Sequence, residues 1–202
     1  MTEIIHFVTS IVTDIINSWH YFGVLFLMTL ESANIPIPSE VILPYAGFLA
    51  SHGQMNYHLA AIVGAFGCVI GGIISYYLGY ILGRPFLMKH GKWLLISNRD
   101  IELVDHLLEK HGNAIYFVSR MLPVVRTYIS IVVGISRGHF WKFTISGFIG
   151  SLIWCYILVF LGVVLGNNWN QLGPWWDKFN VGIIVLIIIG IAWHISRVFR
   201  KK

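Results

Sequence analysis

Charge is what this 202-residue sequence has least of, and positive charge is missing altogether from residues 1–83. Only 11% of residues are Asp, Glu, Lys or Arg, against 56% apolar, and mean hydropathy is +0.73. A soluble domain carries about 25% charged residues, so the composition excludes an ordinary water-soluble fold. Charge also vanishes locally: residues 59–83, 143–166 and 179–196 contain none of the four charged types. A helix needs roughly 20 such residues to cross about 30 Å of hydrocarbon. These absences define an all-α, polytopic membrane protein with three full transmembrane helices.

Cysteine is scarce too. Cys68 and Cys155 both fall inside uncharged stretches, which argues against a disulfide framework and for lipid-shielded free thiols. The histidines show neither HExxH nor paired metal spacing, so no metal site is expected. Met1–Ser18 lacks a basic leading region and carries Glu3 and Asp14, so it is not read as a signal peptide. Its Ile4, Ile5, Val8, Ile11, Val12, Ile15 and Ile16 recur at helical spacing, which predicts an interfacial amphipathic helix.

The positive charge that is present is placed unevenly. Residues 1–83 carry a net of −4 and residues 84–202 a net of +9, giving +5 for the chain. Bases cluster at Arg84–Lys110, Arg137–Lys142 and Arg197–Lys202, which the positive-inside rule sets on the cytoplasmic side together with the C-terminus. The loops Ser51–Tyr57 and Asn167–Trp176 then face outward. A pI near 9.3 follows from this topology and implies no nucleic-acid partner. Trp19, Trp141, Trp169, Trp175 and Trp176 fall at the expected interfaces, as an aromatic belt does.

Two apolar segments are interrupted. Residues 21–50 contain Glu31-Ser-Ala-Asn-Ile-Pro-Ile-Pro-Ser-Glu40, and residues 113–135 contain Arg120-Met-Leu-Pro-Val-Val-Arg126. Pro36, Pro38 and Pro123 each remove a backbone donor and bar the preceding residue from helix, so the helices must break there. Broken backbone at membrane depth survives only under protein or beside a wet cavity. Both segments are therefore read as re-entrant helical hairpins.

The halves also repeat. Gly64, Gly67, Gly79 and Gly83 recur as Gly147, Gly150, Gly162 and Gly166 at an offset of 83; Gly23 and Glu31 are spaced like Gly112 and Arg120. The expected plan is an inverted repeat. Residues 1–84 form repeat A, with hairpin 21–50 and span 58–84. Residues 96–166 form repeat B, with amphipathic helix 101–111, hairpin 113–135 and span 140–166. Residues 174–202 add a last span and a basic tail. The paired glycines read as close-packing faces in preference to ligand contacts.

Glu31, Glu40, Arg120 and Arg126 all lie beside the breaks, where an ionised group is costly and usually functional. One reading is that Glu–Arg pairs merely pin the hairpins together. The other is an anion site. Arginine's planar fork suits a phosphate, and it stays charged when desolvated. Half-helix N-termini after Pro36–Pro38 and Pro123 add free amides. A carboxylate beside a phosphate repels it unless protonated, so Arg120 and Arg126 are expected to hold phosphate while Glu31 or Glu40 carries a proton. Ser39, Thr127, Tyr128 and Ser130 are candidate headgroup contacts or partners for freed backbone.

These segments resemble the DedA family, also called SNARE-associated-like or VTT-domain proteins. Glu31 to Glu40, continuing to Pro44 and Gly47, is similar to its acidic–proline motif. Phe117-Val-Ser-Arg120-Met-Leu-Pro123-Val-Val-Arg126-Thr127, with Gly134 and Phe143, is similar to its arginine–proline motif. Gly71 to Gly83 is a weaker match. Gly72 departs from the acid common in the family at that position, and Gly138 from a methionine. The resemblance implies a bacterial plasma-membrane lipid translocase driven by the proton-motive force, without further cofactor. It points to undecaprenyl phosphate moving from the outer to the inner leaflet for cell-wall recycling, with phosphatidylethanolamine as the alternative. A proton or cation exchanger leaves both arginines without work. Lipid-phosphatase and CDP-alcohol-transferase patterns are missing, so a transporter and not an enzyme is expected. Its partners are the bilayer and an anionic lipid; the sequence leaves a homo-oligomer open.

Overall fold

The computed structural model describes residues 2–35, 37–90, 106, 114–120 and 125–166. Among these residues all regular structure is helical, in seven helices. They are α1 (Thr2–Trp19), α2 (Tyr21–Ser32), α3 (Ser39–Ser51), α4 (Tyr57–His90), α5 (Ala114–Arg120), α6 (Val125–Ile135) and α7 (Phe140–Gly166). Expectations for the final span at 174–202 and for most of helix 101–111 lie outside the described residues; His106 is helical and exposed.

Two stretches, Tyr57–Gly83 and Phe140–Gly166, are long and apolar enough to cross a membrane. Both match their expected bounds to within a residue or so. The backbone of α4 continues to His90, but Gly83 bends it at φ 62°, a left-handed conformation that glycine alone adopts cheaply. α1 is amphipathic as expected, burying Val12 and Ile16 and exposing Ile11 and Asp14.

Helix ends account for the breaks in more detail than proline does. α2 stops before Pro36, because Asn34 turns left-handed at φ 70°. Asn34 N–H then bonds Glu31 O at 3.1 Å and Ile35 N–H bonds Leu30 O at 3.1 Å. This paired closure satisfies carbonyls that a helix end leaves free. α3 ends in the same way at Gly53 and α6 at Arg137, with Gln54 N–H on Leu49 O and Gly138 N–H on Val133 O. Pro38 does set a boundary, as the residue capping the start of α3.

The glycines determine which helices touch. α2 packs on α4 and α3 on α7, while α5 packs on α7 and α6 on α4, with α4 and α7 against each other. A Cβ on Gly47 of α3 would sit 2.1 Å from Val159 O, and one on Gly162 of α7 would sit 2.1 Å from Pro44 O. The α4–α6 crossing repeats this arrangement. A Cβ on Gly134 would meet Tyr76 O at 2.0 Å, and one on Gly79 would meet Ile131 O at 2.1 Å. Tyr76 and Gly79 stand 83 residues before Val159 and Gly162; Pro44 and Gly47 stand 87 before Ile131 and Gly134. The two crossings are therefore equivalent, and Gly79 and Gly162 act in packing, as their spacing predicts.

Two apolar cores result. One gathers Val12, Ile16, Val24, Met28, Ile42, Leu43, Ala61 and Val159 from α1–α4 and α7. The other gathers Tyr76, Tyr116, Ile129, Val133 and Phe143 from α4–α7. The functional side chains lie where the ends of the short helices meet.

Candidate functional site

Four helix ends converge. Glu31 occupies the last turn of α2, Ser39 the first position of α3, Arg120 the last of α5 and Arg126 the first turn of α6. Glu31 is 5% exposed, and Arg120 and Arg126 are 3% exposed each. Distance along the chain is large, yet Arg126 Nη2 donates to Glu31 Oε1 at 2.5 Å, across 95 residues. The same nitrogen donates to Ser39 Oγ at 2.5 Å. Arg126 thus joins the two proline-bearing breaks. Ser32 Oγ donates to the other Glu31 oxygen at 3.4 Å, and Ser75 Oγ of α4 donates to Ser32 O at 3.1 Å.

Arg120 is differently placed. Its Nη1 donates to Arg126 O at 3.3 Å, a neutral acceptor, and it forms no ion pair among the described residues. Its guanidinium lies over Phe143, 5.0 Å from the ring centroid, as that of Arg126 lies 5.6 Å over Trp154. Among the described residues, the buried Nε atoms of both arginines find no hydrogen-bond partner, and neither does Trp154 Nε1. Buried donors are ordinarily paired, so three open donors around one junction form the outline of an acceptor.

One face of α7 holds both guanidinium groups. Phe143, Gly147, Gly150 and Trp154 are spaced four, three and four residues apart, which puts them on one side of a helix. Gly147 and Gly150 would place Cβ atoms 3.3 Å from Arg120 Nε and 3.0 Å from Arg120 Cβ. Gly147 thus seats a functional side chain, unlike Gly79 and Gly162, and Gly150 meets both Arg120 and the Phe117 carbonyl oxygen, 2.9 Å from its would-be Cβ. Trp154 was missed in the sequence because it sits mid-span, away from the interface where tryptophans attract notice. Its spacing from Gly147 and Gly150 was the available signal.

The remaining candidates separate. Glu40 is only partly buried; it accepts from Ser39 Oγ at 3.2 Å and pairs with no arginine among the described residues. Of the four ionisable residues beside the breaks, Glu31, Arg120 and Arg126 are thus buried within the protein and Glu40 is partly exposed. Tyr128 is 38% exposed, whereas Ser130 is buried with an unpaired hydroxyl. Pro36 and Pro123 lie outside the described residues, and so does the side chain of Thr127, whose backbone belongs to α6. Cys68 and Cys155 are buried free thiols, as expected.

Residues 37–164 match the family model described as the VTT domain. The chain is 36% identical over 166 residues to Undecaprenyl phosphate transporter A of Bacillus subtilis, covering 82% of this chain and 83% of that protein. It is 34% identical to the uncharacterized membrane protein YkoX of the same organism, over 95% of this chain and 88% of that one. It is also 34% identical to an alkaline phosphatase-like protein of Lactococcus lactis, over 96% and 92% respectively. No solved structure matches.

Proposed function

This chain belongs to the VTT-domain (DedA) family of membrane proteins, and on that footing we propose that it translocates undecaprenyl phosphate from the outer to the inner leaflet of a bacterial plasma membrane, coupled to protons. The observation that carries the proposal is the buried Arg120–Arg126 pair with unsatisfied Nε donors at the junction of four helix ends. A desolvated guanidinium that stays charged and donates in a plane suits a phosphomonoester head. The name of the Bacillus transporter supports the same substrate class.

In this reading residues 21–50 and 113–135 are re-entrant hairpins of an inverted repeat. The equivalence of the α3–α7 and α6–α4 crossings supports it, and broken helices at an inverted repeat are where transporters bind. Glu31 is the gate. While ionised it satisfies Arg126; when it takes a proton, Arg126 is released to the arriving phosphate. Arg126 thereby keeps a negative partner at each stage, avoiding the large cost of a buried unpaired charge. Glu40, nearer the surface, passes the proton inward.

Reconstituted liposomes test this. Fluorescent polyprenyl phosphate is expected to cross faster than fluorescent phosphatidylethanolamine, and an imposed pH gradient to change the rate. Arg120→Ala and Arg126→Ala are expected to reduce transport at least tenfold in vesicles holding equal amounts of protein. Wild-type rates in both variants would end the phosphate-clamp assignment. Release of inorganic phosphate from the lipid, monitored in parallel, would point instead to the chemistry in the Lactococcus relative's name.

A further inference from the structure

The two arginines are not equivalent. Arg126 Nη2 is held by a carboxylate and a hydroxyl; Arg120 is as deeply buried but, among the described residues, meets one neutral carbonyl, an aromatic face and glycines. A Cβ on Gly72 of α4 would lie 2.6 Å from Arg120 Nη2, and one on Gly147 of α7 would lie 3.3 Å from Nε. A side chain at 72 would press on Nη2, the far end of a flexible side chain that can give way, so its charge more than its bulk decides what it does to Arg120. A buried cation whose hydrogen bond goes to a neutral carbonyl is costly, and an anion brought beside it offsets that cost.

We propose that Arg120 is the seat that first receives the phosphomonoester anion, and that the absence of a carboxylate at position 72 leaves this seat to the ligand. The proposal rests on the lipid-phosphate reading above and refines it: Arg120 receives, and Arg126 engages only once Glu31 lets go. The charge at residue 72 then sets whether the site is open. An aspartate there would bring its own carboxylate to Arg120 and occupy the seat from within.

The test is binding of farnesyl phosphate, a short water-soluble polyprenyl phosphate, to the full chain in nanodiscs. Arg120→Gln and Gly72→Asp are each expected to weaken binding at least tenfold. Gly72→Asn has the size of Asp without its charge, and is expected to weaken binding no more than threefold. Glu31→Gln frees Arg126 and is expected to tighten binding severalfold. Equal losses for Gly72→Asp and Gly72→Asn would show mere crowding and overturn the proposal, as would undiminished binding by Arg120→Gln. Should both residue-72 variants fail to fold, the opposed effects of Arg120→Gln and Glu31→Gln still decide. Inorganic phosphate is expected to compete at least tenfold more weakly than farnesyl phosphate. Equal competition would make the seat one for free phosphate, overturning the lipid reading while leaving Arg120 as the receiver. Failure of the wild-type chain to bind either compound would overturn the function itself.

Discussion

At the residue scale, the site is governed by what happens to a buried charge when its partner leaves. Arg126→Ala strands Glu31 in the interior, and removing one member of a buried pair costs about 3–5 kcal/mol. Replacing both in Glu31→Gln/Arg126→Gln leaves two neutral amides and is expected to recover most of that loss. Thermal unfolding of the detergent-solubilised protein measures both, and equal destabilisation by the single and double changes would contradict the pairing. Trp154 gives a second contrast. Its indole N–H has no partner among the described residues, so Trp154→Phe is expected to unfold within about 1 kcal/mol of wild type, whereas Trp154→Ala removes the ring under Arg126 and costs about 3 kcal/mol. The identity of the ionisable residues was legible in the sequence, because charge beside proline in an uncharged stretch stands out. Which acid pairs with which base was not, since Glu31 and Glu40 are equally near the break in sequence. Only the fold puts the first on Arg126 Nη2 and leaves the second partly exposed, accepting from Ser39 Oγ.

At the element scale, close approach of backbones decides which helices neighbour one another. Gly47→Ala, Gly162→Ala, Gly79→Ala and Gly134→Ala each drive a methyl to within 2.0–2.1 Å of a carbonyl oxygen, so the helices must part. Each is expected to cost about 1–3 kcal/mol, as overpacking does, with similar values at the two crossings because their geometry is equivalent. Gly53→Ala is the control: nothing lies within 4 Å, and the cost is the left-handed φ of 73° alone, about 1 kcal/mol. Thermal shifts compare the five variants directly. Glycine periodicity announced these contacts in the sequence. It could not separate Gly79 and Gly162, which touch backbone, from Gly147, which seats Arg120, or from Gly150, which meets both, because the same absence of a side chain serves both purposes.

At the scale of the whole molecule, the distribution of bases implies one orientation in the bilayer. A cysteine in place of Gly53 should react with a membrane-impermeant maleimide in intact cells, and a cysteine in place of Arg137 only after permeabilisation. The reverse pattern would invert the assigned topology. Cys68 and Cys155 are buried and are expected to stay unlabelled throughout, so no cysteine-free background is required.

The sequence by itself determined the two long spans, the helical class, the places where short helices break and the residues able to carry charge within them. Those features depend on local quantities, namely the length of an uncharged run, the backbone limits of proline and the cost of an ion in hydrocarbon. The tertiary structure alone decided that Arg126 pairs with Glu31 while Arg120 has no carboxylate partner among the described residues, and that position 72 lies against the Arg120 guanidinium. Pairing across 95 residues depends on how α2, α4, α6 and α7 cross, and a crossing is fixed by the joint fit of surfaces that no single segment contains.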